Sequence, residues 1–155
     1  MAWWSKLFGS SESGRVDYYD EGLALLAGGK FHEALTSFRL ALKEQPSDPV
    51  ILQQIAIAYT RIGMTDEAAK TYRHVLMKDE TASGAHYGLA FLLVRAGRPD
   101  EAMTHLQAFL DHPPQGGDAA RHVAHARATL DQLAAGGTIE EASTGNDNRG
   151  NNELF

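Results

Sequence analysis

The strongest constraint on this chain is a three-fold repetition with a period of 34 residues. Ala34, Ala68 and Ala102 lie 34 positions apart, and each follows a glutamate directly. A glycine also precedes each alanine by five residues, and a large apolar residue follows it by four: Phe38, Tyr72 and Leu106. A period near 34 residues is typical of stacked helix–turn–helix units, so the sequence predicts a repeat protein.

The composition excludes several classes of protein. With 155 residues, of which 43% are hydrophobic, the chain can form one domain with a continuous core. The net charge of −6 and the scattered positions of the 14 basic residues argue against nucleic-acid binding, which needs clustered Lys and Arg. The absence of cysteine excludes disulfides, thiolate metal sites and a cysteine nucleophile, and it fits a reducing compartment.

The sequence carries no strong membrane signal. No segment approaches the ~20 apolar residues that a spanning helix needs. The start also lacks the charged region and the apolar run of a signal peptide. We therefore expect a cytoplasmic protein, with membrane contact that is at most weak and peripheral.

Proline and glycine positions divide the chain into helical segments. Asp48 and Pro49 have the residue types of a helix N-cap followed by proline at the first helical position, and glycines mark the turns. The predicted helices cover residues 16–28, 31–44, 50–62, 66–78, 83–96, 99–111 and 118–133. The predicted domain covers 15–135, with repeats at about 15–48, 49–82 and 83–116, a capping helix at about 117–135 and a polar, disordered tail at 136–155.

The last predicted helix departs from the repeat pattern and is rich in Ala and Arg. A stack of hairpins leaves its last apolar face open, and an atypical terminal helix usually covers that face. We therefore predict a capping helix whose inward residues are Val123, Leu130 and Leu133.

The N-terminal segment, residues 1–14, combines aromatic residues with a flexible joint rich in Gly and Ser. Its large apolar residues are Trp3, Trp4, Leu7 and Phe8. A helix here would place the last three on one stripe, but so short a helix is marginal alone in water. Docking into the protein's own or a neighbouring groove is the first interpretation. Weak membrane attachment is the second, and an incidental disordered end is the third.

The repeated columns resemble the tetratricopeptide repeat, in which an aromatic residue, Leu-Gly, Tyr, Ala, Phe and Pro recur at fixed places in a 34-residue unit. Repeat one supplies Tyr18, Glu21, Gly22, Leu25, Ala34, Phe38, Ala41 and Pro46. Repeat two supplies Leu52, Ile55, Ala56, Tyr59, Ala68, Tyr72, Val75, and Glu80 in place of proline. Repeat three supplies His86, Leu89, Ala90, Leu93, Ala102, Leu106, Phe109 and Pro114.

This resemblance covers about residues 15–114 and implies an all-α fold, a short right-handed α-solenoid of three helix–turn–helix repeats plus the C-terminal capping helix. The small residues let the two helices of each hairpin cross closely: Gly22, Ala56 and Ala90. Glu21 departs from the leucine of the family, which suggests that the first hairpin is exposed or is covered by the N-terminal segment. Phe109 replaces a small residue, which suggests that the last groove is shaped for the capping helix.

In the family that these residues resemble, the first helices line a concave groove. The residues carried over to that groove are Tyr19, Leu23, Leu26, Gln53, Ile57, Thr60, Arg61, Tyr87, Phe91, Val94 and Arg95. The resemblance implies a non-catalytic adaptor that binds an apolar or amphipathic peptide segment of a protein partner, oriented by Arg61 and Arg95. One subclass grips a C-terminal carboxylate at positions that here hold Tyr19, Leu23, Gln54, Gly84 and Gly88, which cannot form that clamp.

Three alternatives accompany this interpretation. The apolar residues of the first helices could be core, buried by neighbouring repeats or by the capping helix. Arg61 and Arg95 each precede a turn, where a cation also complements the helix dipole. The protein could also be a self-assembling scaffold whose N-terminal segment fills its own or a neighbouring groove.

No motif indicates catalysis or a bound cofactor. His122 and His125 lie on one helical face a turn after Asp118, but zinc needs three or four ligands, and His105 or His112 would have to complete the set. Solvated histidines on the capping helix are the preferred interpretation. The sequence contains no HExxH, Walker A or GxGxxG motif and no evident nucleophile with a paired base. We therefore predict no enzyme activity, no metal and no cofactor.

Overall fold

A computed structural model describes residues 17–136, and every regular element in that range is an α-helix. The helices are α1 (Tyr18–Ala27), α2 (Phe31–Glu44), α3 (Pro49–Ile62), α4 (Thr65–Lys78), α5 (Ser83–Arg95), α6 (Pro99–Asp111) and α7 (Ala119–Ala134). The all-α fold is confirmed, and each predicted helix is present with its ends within two residues of the prediction.

Local rules explain where these helices begin and end. The Asp48 carboxylate accepts hydrogen bonds from the backbone N–H of Val50 at 2.8 Å and of Ile51 at 3.3 Å, with Pro49 in the first turn. Asp17 caps α1 in the same way.

The glycine that precedes each repeated alanine ends a first helix. Gly29, Gly63 and Gly97 have φ values of 78°, 96° and 72°. This left-handed conformation is costly for residues with a Cβ, so glycine is favoured at all three turns.

The helices stack in chain order as three hairpins followed by α7. Each helix packs against the next, and the first helices also contact one another, α1 with α3 and α3 with α5. The second helices of residues 17–136 make no comparable contact with one another. The first helices therefore form the inner, concave side of the stack, and the second helices spread apart on the outer side.

The repeated columns form the core. Ala34, Ala68 and Ala102 are completely buried. The large residues that follow them are buried as well: Phe38, Tyr72 and Leu106. Around them the core divides into three adjoining apolar clusters. One lies between the first and second hairpins, one between the second and third, and one between the third hairpin and α7.

Two glycines leave room for these rings. A Cβ on Gly22 would lie 2.5 Å from Cε1 of Phe38, and a Cβ on Gly88 would lie 2.4 Å from Cζ of Tyr72. Phe38 thus closes the first hairpin against α1, whereas Tyr72 joins the second hairpin to α5. The sequence columns predicted the small residue at Gly22 but did not single out Gly88.

We expect Gly88→Ala to destabilise the protein although alanine favours helix. The buried Tyr72 ring cannot yield easily, and overpacking costs about 1–3 kcal/mol, against a gain of about 1 kcal/mol in helix propensity. Gly84→Ala is the matched control on the same helix, because its new methyl meets only the flexible amide end of Gln53. Urea unfolding followed by circular dichroism should show a lower midpoint for Gly88→Ala and an unchanged or higher one for Gly84→Ala. Equal stability of Gly88→Ala and wild type would contradict this packing.

Candidate functional site

The first helices of the three hairpins, α1, α3 and α5, form the concave face. The residues predicted to line it occupy equivalent repeat positions on these helices. Those that remain half-buried or exposed are Tyr19, Leu23, Leu26, Gln53, Ile57, Arg61, Val94 and Arg95. Those that are buried are Thr60, Tyr87 and Phe91. The accessible part of this face therefore lies mostly on α1 and α3.

Tyr87 and Phe91 lie beneath the capping helix α7. Their exposed fractions are only 5% and 8%. The Phe91 ring stacks on the imidazole of His125 with centroids 4.6 Å apart and planes 7° apart. Tyr87 meets the His122 ring edge-on at 5.2 Å, and its hydroxyl lies 2.9 Å from Nδ1 of His125. In this conformation the two aromatic residues join α5 to α7 and present almost no surface to a ligand.

His125 remains exposed and His122 half-buried, as expected for solvated histidines, but each ring also contacts the aromatic residues of α5. Their spacing places both imidazoles on the face of α7 that packs on Tyr87 and Phe91. Within residues 17–136, no three His, Asp or Glu side chains converge in a way that could hold a metal ion. The deepest residues of the capping helix are Ala126 and Thr129, while the predicted Val123, Leu130 and Leu133 pack around them half-buried.

Thr60 has a packing role rather than an open position. Its hydroxyl donates a hydrogen bond to the carbonyl oxygen of Ala56 at 2.8 Å, and its side chain is also hydrogen bonded to the buried hydroxyl of Tyr72. Burial raises the pKa of Tyr72 above its ordinary value, so the phenol stays neutral.

The remaining residues give the concave face an apolar floor with a few polar groups. Leu23 and Leu26 pack on the first core cluster, and Ile57 on the second. Tyr19 packs 6.0 Å from the Phe38 ring and is hydrogen bonded to Gln54. Burial, followed by the nearby carboxylates of Asp48 and Asp20, raises the pKa of the Tyr19 phenol. The Gln53 amide covers Gly84, where a side chain would displace it.

The two arginines stand at the carboxyl ends of α3 and α5. The Arg61 guanidinium lies 4.6 Å from the centroid of the Phe31 ring, a cation–π contact with the second helix of the preceding hairpin. Arg95 is exposed in the last turn of α5. Both positions also complement the helix dipole, so the dipole interpretation and a rim of positive charge are compatible.

Other predictions fall partly outside the described range. The docking segment with Trp3, Trp4, Leu7 and Phe8 lies outside residues 17–136, as does the predicted tail after Gly136. No helix within the described range is both long enough and apolar enough to cross a membrane.

Family comparisons agree with this arrangement of hairpins. Two family models described as tetratricopeptide repeat match residues 19–84 and residues 63–128. The matches overlap and together run from α1 into α7. The chain belongs to the tetratricopeptide repeat family. Over 77 residues this tetratricopeptide repeat protein is 34% identical to the tetratricopeptide repeat and J domain-containing co-chaperone DNJ1 of Fusarium oxysporum f. sp. lycopersici. That alignment spans 50% of the chain and only 15% of the length of DNJ1.

Solved structures share the fold at low sequence identity. The Yersinia enterocolitica type III secretion chaperone SycD, in complex with a peptide of the translocator YopD, superposes with a TM-score of 0.71 and 15% identity over 77% of this chain and 91% of SycD. PcrH, in complex with the chaperone binding region of PopD, superposes with a TM-score of 0.69 and 17% identity over 76% of this chain and 89% of PcrH. The first repeat domain of Spaghetti, bound to an HSP90 peptide, superposes with a TM-score of 0.64 and 19% identity over 76% of this chain and 90% of that domain. At these identities the likeness establishes the helical solenoid fold.

We expect acid to weaken this protein through His105 and His125, whose rings pack against other side chains. Partial desolvation of its stacked ring, and then the charge of His122, lowers the pKa of His125. Burial, followed by His86 and Arg73, lowers the pKa of His105 against an opposing effect of Glu101. The unfolded chain therefore binds more protons than the folded one between the lowered pKa values of the folded state and about pH 6.5, the ordinary pKa of histidine. The free energy of unfolding should fall as the pH drops through this range.

The contribution of His125 can be measured with His125→Gln, which keeps a polar group beside Tyr87. Between about pH 7.5 and about pH 5.5, its urea midpoint should fall less than that of wild type, because the variant lacks one of the two histidines whose pKa is lowered. His32→Gln, on the exposed side of α2, is the matched control and should retain the wild-type pH dependence. The idea fails if the two variants respond to pH in the same way.

Proposed function

We propose that this chain is a non-catalytic adaptor that binds an apolar or amphipathic peptide segment of a partner protein on its concave face. The observation that carries this proposal is the row of half-buried apolar side chains on α1 and α3, with Leu23, Leu26 and Ile57 at its centre. These side chains pack on the core with one side and keep the other side accessible. Such a surface gains free energy when an apolar ligand removes it from water.

The capping helix sets the extent of the proposed groove. Because α7 covers Tyr87 and Phe91, the ligand would lie across α1 and α3 and reach only the edge of α5 at Val94. Packed helix axes lie about 8–10 Å apart, so the groove spans roughly 20 Å from α1 to α5. An extended segment of about six residues covers that length at about 3.3 Å per residue.

Two positive charges at one end of the groove would set the orientation of the bound segment. Arg61 and Arg95 stand at the same end of the groove, at the carboxyl ends of α3 and α5. Acidic side chains at one end of the bound segment would face these two cations, while the apolar side chains face Leu23 and Ile57. Rim charges of this kind contribute more to orientation and association rate than to affinity.

The structural neighbours support the class of ligand. SycD, PcrH and Spaghetti share this solenoid, and their structures contain a peptide of YopD, a region of PopD and a peptide of HSP90. We transfer from them only the class of ligand, a peptide segment of a protein.

Ile57→Arg should abolish partner binding without unfolding the chain, since Ile57 is half-buried at the edge of its cluster. The experiment combines affinity capture from native cell extract with photo-cross-linking through p-benzoylphenylalanine in place of Gln53. We expect an apolar or amphipathic partner segment to be cross-linked at this position and lost when Ile57→Arg is added. A retained cross-link in the Ile57→Arg variant would place the ligand elsewhere.

Ala128→Arg is the matched control, because it also introduces an arginine in place of an apolar residue but lies on the exposed side of α7. This variant should capture the same segment at Gln53 as wild type does. Circular dichroism melting of both variants separates loss of binding from loss of fold.

Self-assembly is a second candidate function, favoured by two tryptophans within the first eight residues. In that case the N-terminal segment would fill the groove of a neighbouring copy. Sedimentation at increasing concentration would then show a rising mass for the full chain and a constant monomer mass after deletion of residues 1–14. A constant monomer mass for both would exclude this candidate.

A further inference from the structure

A second groove lies on the outer side of the solenoid, opposite the concave face. It has a volume of about 720 Å³ and follows α4, with α2 on one side and the end of α5 on the other. The groove exists because the second helices spread apart where the first helices converge. Its floor comes from first helices, with Ile55 on α3 and Leu92 and Leu93 on α5.

Accessible apolar surface in this groove comes mainly from its walls, since the floor residues are almost completely buried. Met77, in the last turn of α4, lines the groove with 82% of its surface exposed, the largest exposed fraction among the large hydrophobic side chains of residues 17–136. Leu42 and Tyr59 are half-buried on the facing helices. An unbranched, polarisable methionine side chain adapts to ligands of varied shape.

The groove is strongly basic although the chain is acidic. Four cationic side chains line it, Arg39, Lys70, Arg73 and Arg98, against one carboxylate, Asp66. The chain as a whole carries a net charge of −6. So many cations in one groove of an acidic protein give it a local potential that attracts carboxylates.

The partners of these cations leave part of their charge uncompensated. Arg73 and Arg98 share a single carboxylate, Glu101, which lies 3.5 Å from Nη2 of Arg73 and also pairs with Arg98. Arg39 donates a hydrogen bond to the Tyr59 hydroxyl at 2.7 Å and lies 5.7 Å from the centroid of that ring. These contacts are exposed ion pairs and a hydrogen bond to an uncharged acceptor, so a ligand carboxylate can enter at modest cost.

We propose that this outer groove binds an acidic amphipathic helix of a partner protein. Its carboxylates would pair with Lys70 and Arg73 on α4, while its leucine or phenylalanine side chains contact Leu42 and Met77. The apolar walls favour such a helix over a nucleic acid, whose backbone would bring charge without apolar surface. This surface is independent of the concave groove, so either proposal can fail without the other.

Fluorescence anisotropy tests the proposal with a defined probe. The probe is a fluorescein-labelled helical peptide with leucines on one face and glutamates at i and i+4 beside it, titrated with the full chain. We expect saturable binding that weakens as salt is added. Lys70→Glu together with Arg73→Glu should weaken it at least tenfold. Lys43→Glu together with Arg127→Glu makes the same change in net charge on exposed parts of α2 and α7 and should leave affinity within about twofold of wild type.

Two further variants keep the test decisive if the double variant folds poorly. Lys70→Glu alone leaves the contact between Arg73 and Glu101 intact and should still weaken binding several-fold. Met77→Ser, at an exposed position, should also weaken it, because the peptide loses an apolar contact. Ala128→Arg, on the exposed side of α7, adds a positive charge away from both grooves and should bind the probe as wild type does.

Several results would overturn the proposal. Absence of binding, or equal losses in the Lys70/Arg73 and Lys43/Arg127 variants, would show that only net charge acts. Loss of binding in Ile57→Arg alone would place the peptide on the concave face. Equal competition by a single-stranded oligonucleotide would indicate a general anion site. Stronger binding after removal of residues 137–155 would assign the groove to the chain's own acidic tail.

Discussion

The close approach of a large ring to a glycine determines how the hairpins of this solenoid are joined. Phe38 reaches the backbone of α1 at Gly22, and Tyr72 reaches the backbone of α5 at Gly88. The two rings occupy equivalent places in successive repeats, yet one closes a hairpin and the other links it to the next. Because both rings are fully buried, neither helix can shift along its neighbour without losing this contact. The relative positions of the first helices, and hence the concave face, follow from these contacts.

The capping helix covers the end of the stack and thereby shortens the proposed groove. Without α7, the aromatic side chains of Tyr87 and Phe91 would be exposed at the end of the third hairpin. With α7 in place, His122 and His125 cover both rings, and the concave face shortens by most of one repeat. Stability of the last hairpin and length of the proposed groove therefore depend on the same surface. The lowered pKa of His125, whose ring stacks on Phe91, also makes this closure sensitive to acid.

Residues governed by local or periodic rules could be predicted from the sequence. The buried alanine column, the glycine turns and the Asp48–Pro49 helix start each depend on neighbours within one repeat. Tyr19 and Tyr87 occupy the same column, but only Tyr87 is covered, because the helix that covers it lies outside the repeat pattern. The spacing of His122 and His125 was the available signal, since it places two flat rings on the inward face of α7. The repeat register predicts Thr60 on the open groove, whereas its side chain is buried and hydrogen bonded to the Ala56 carbonyl oxygen and the Tyr72 hydroxyl.

The outer groove could not be predicted in this way, because its lining comes from four helices; Arg39 and Arg73 share a repeat column, but Lys70 and Arg98 lie in other columns. The fold alone does not select a ligand, since one solenoid can present many different surfaces. In this chain the two sides differ in chemistry: the concave side has an apolar floor with two arginines at one end, whereas the outer side concentrates cations around an exposed methionine. A short apolar segment with acids at one end therefore suits the concave side, whereas a helix with carboxylates along one face suits the outer side. If both proposals hold, the protein could bind two different segments at once, because the helices that separate the two sides are fixed by the buried contacts of Phe38 and Tyr72.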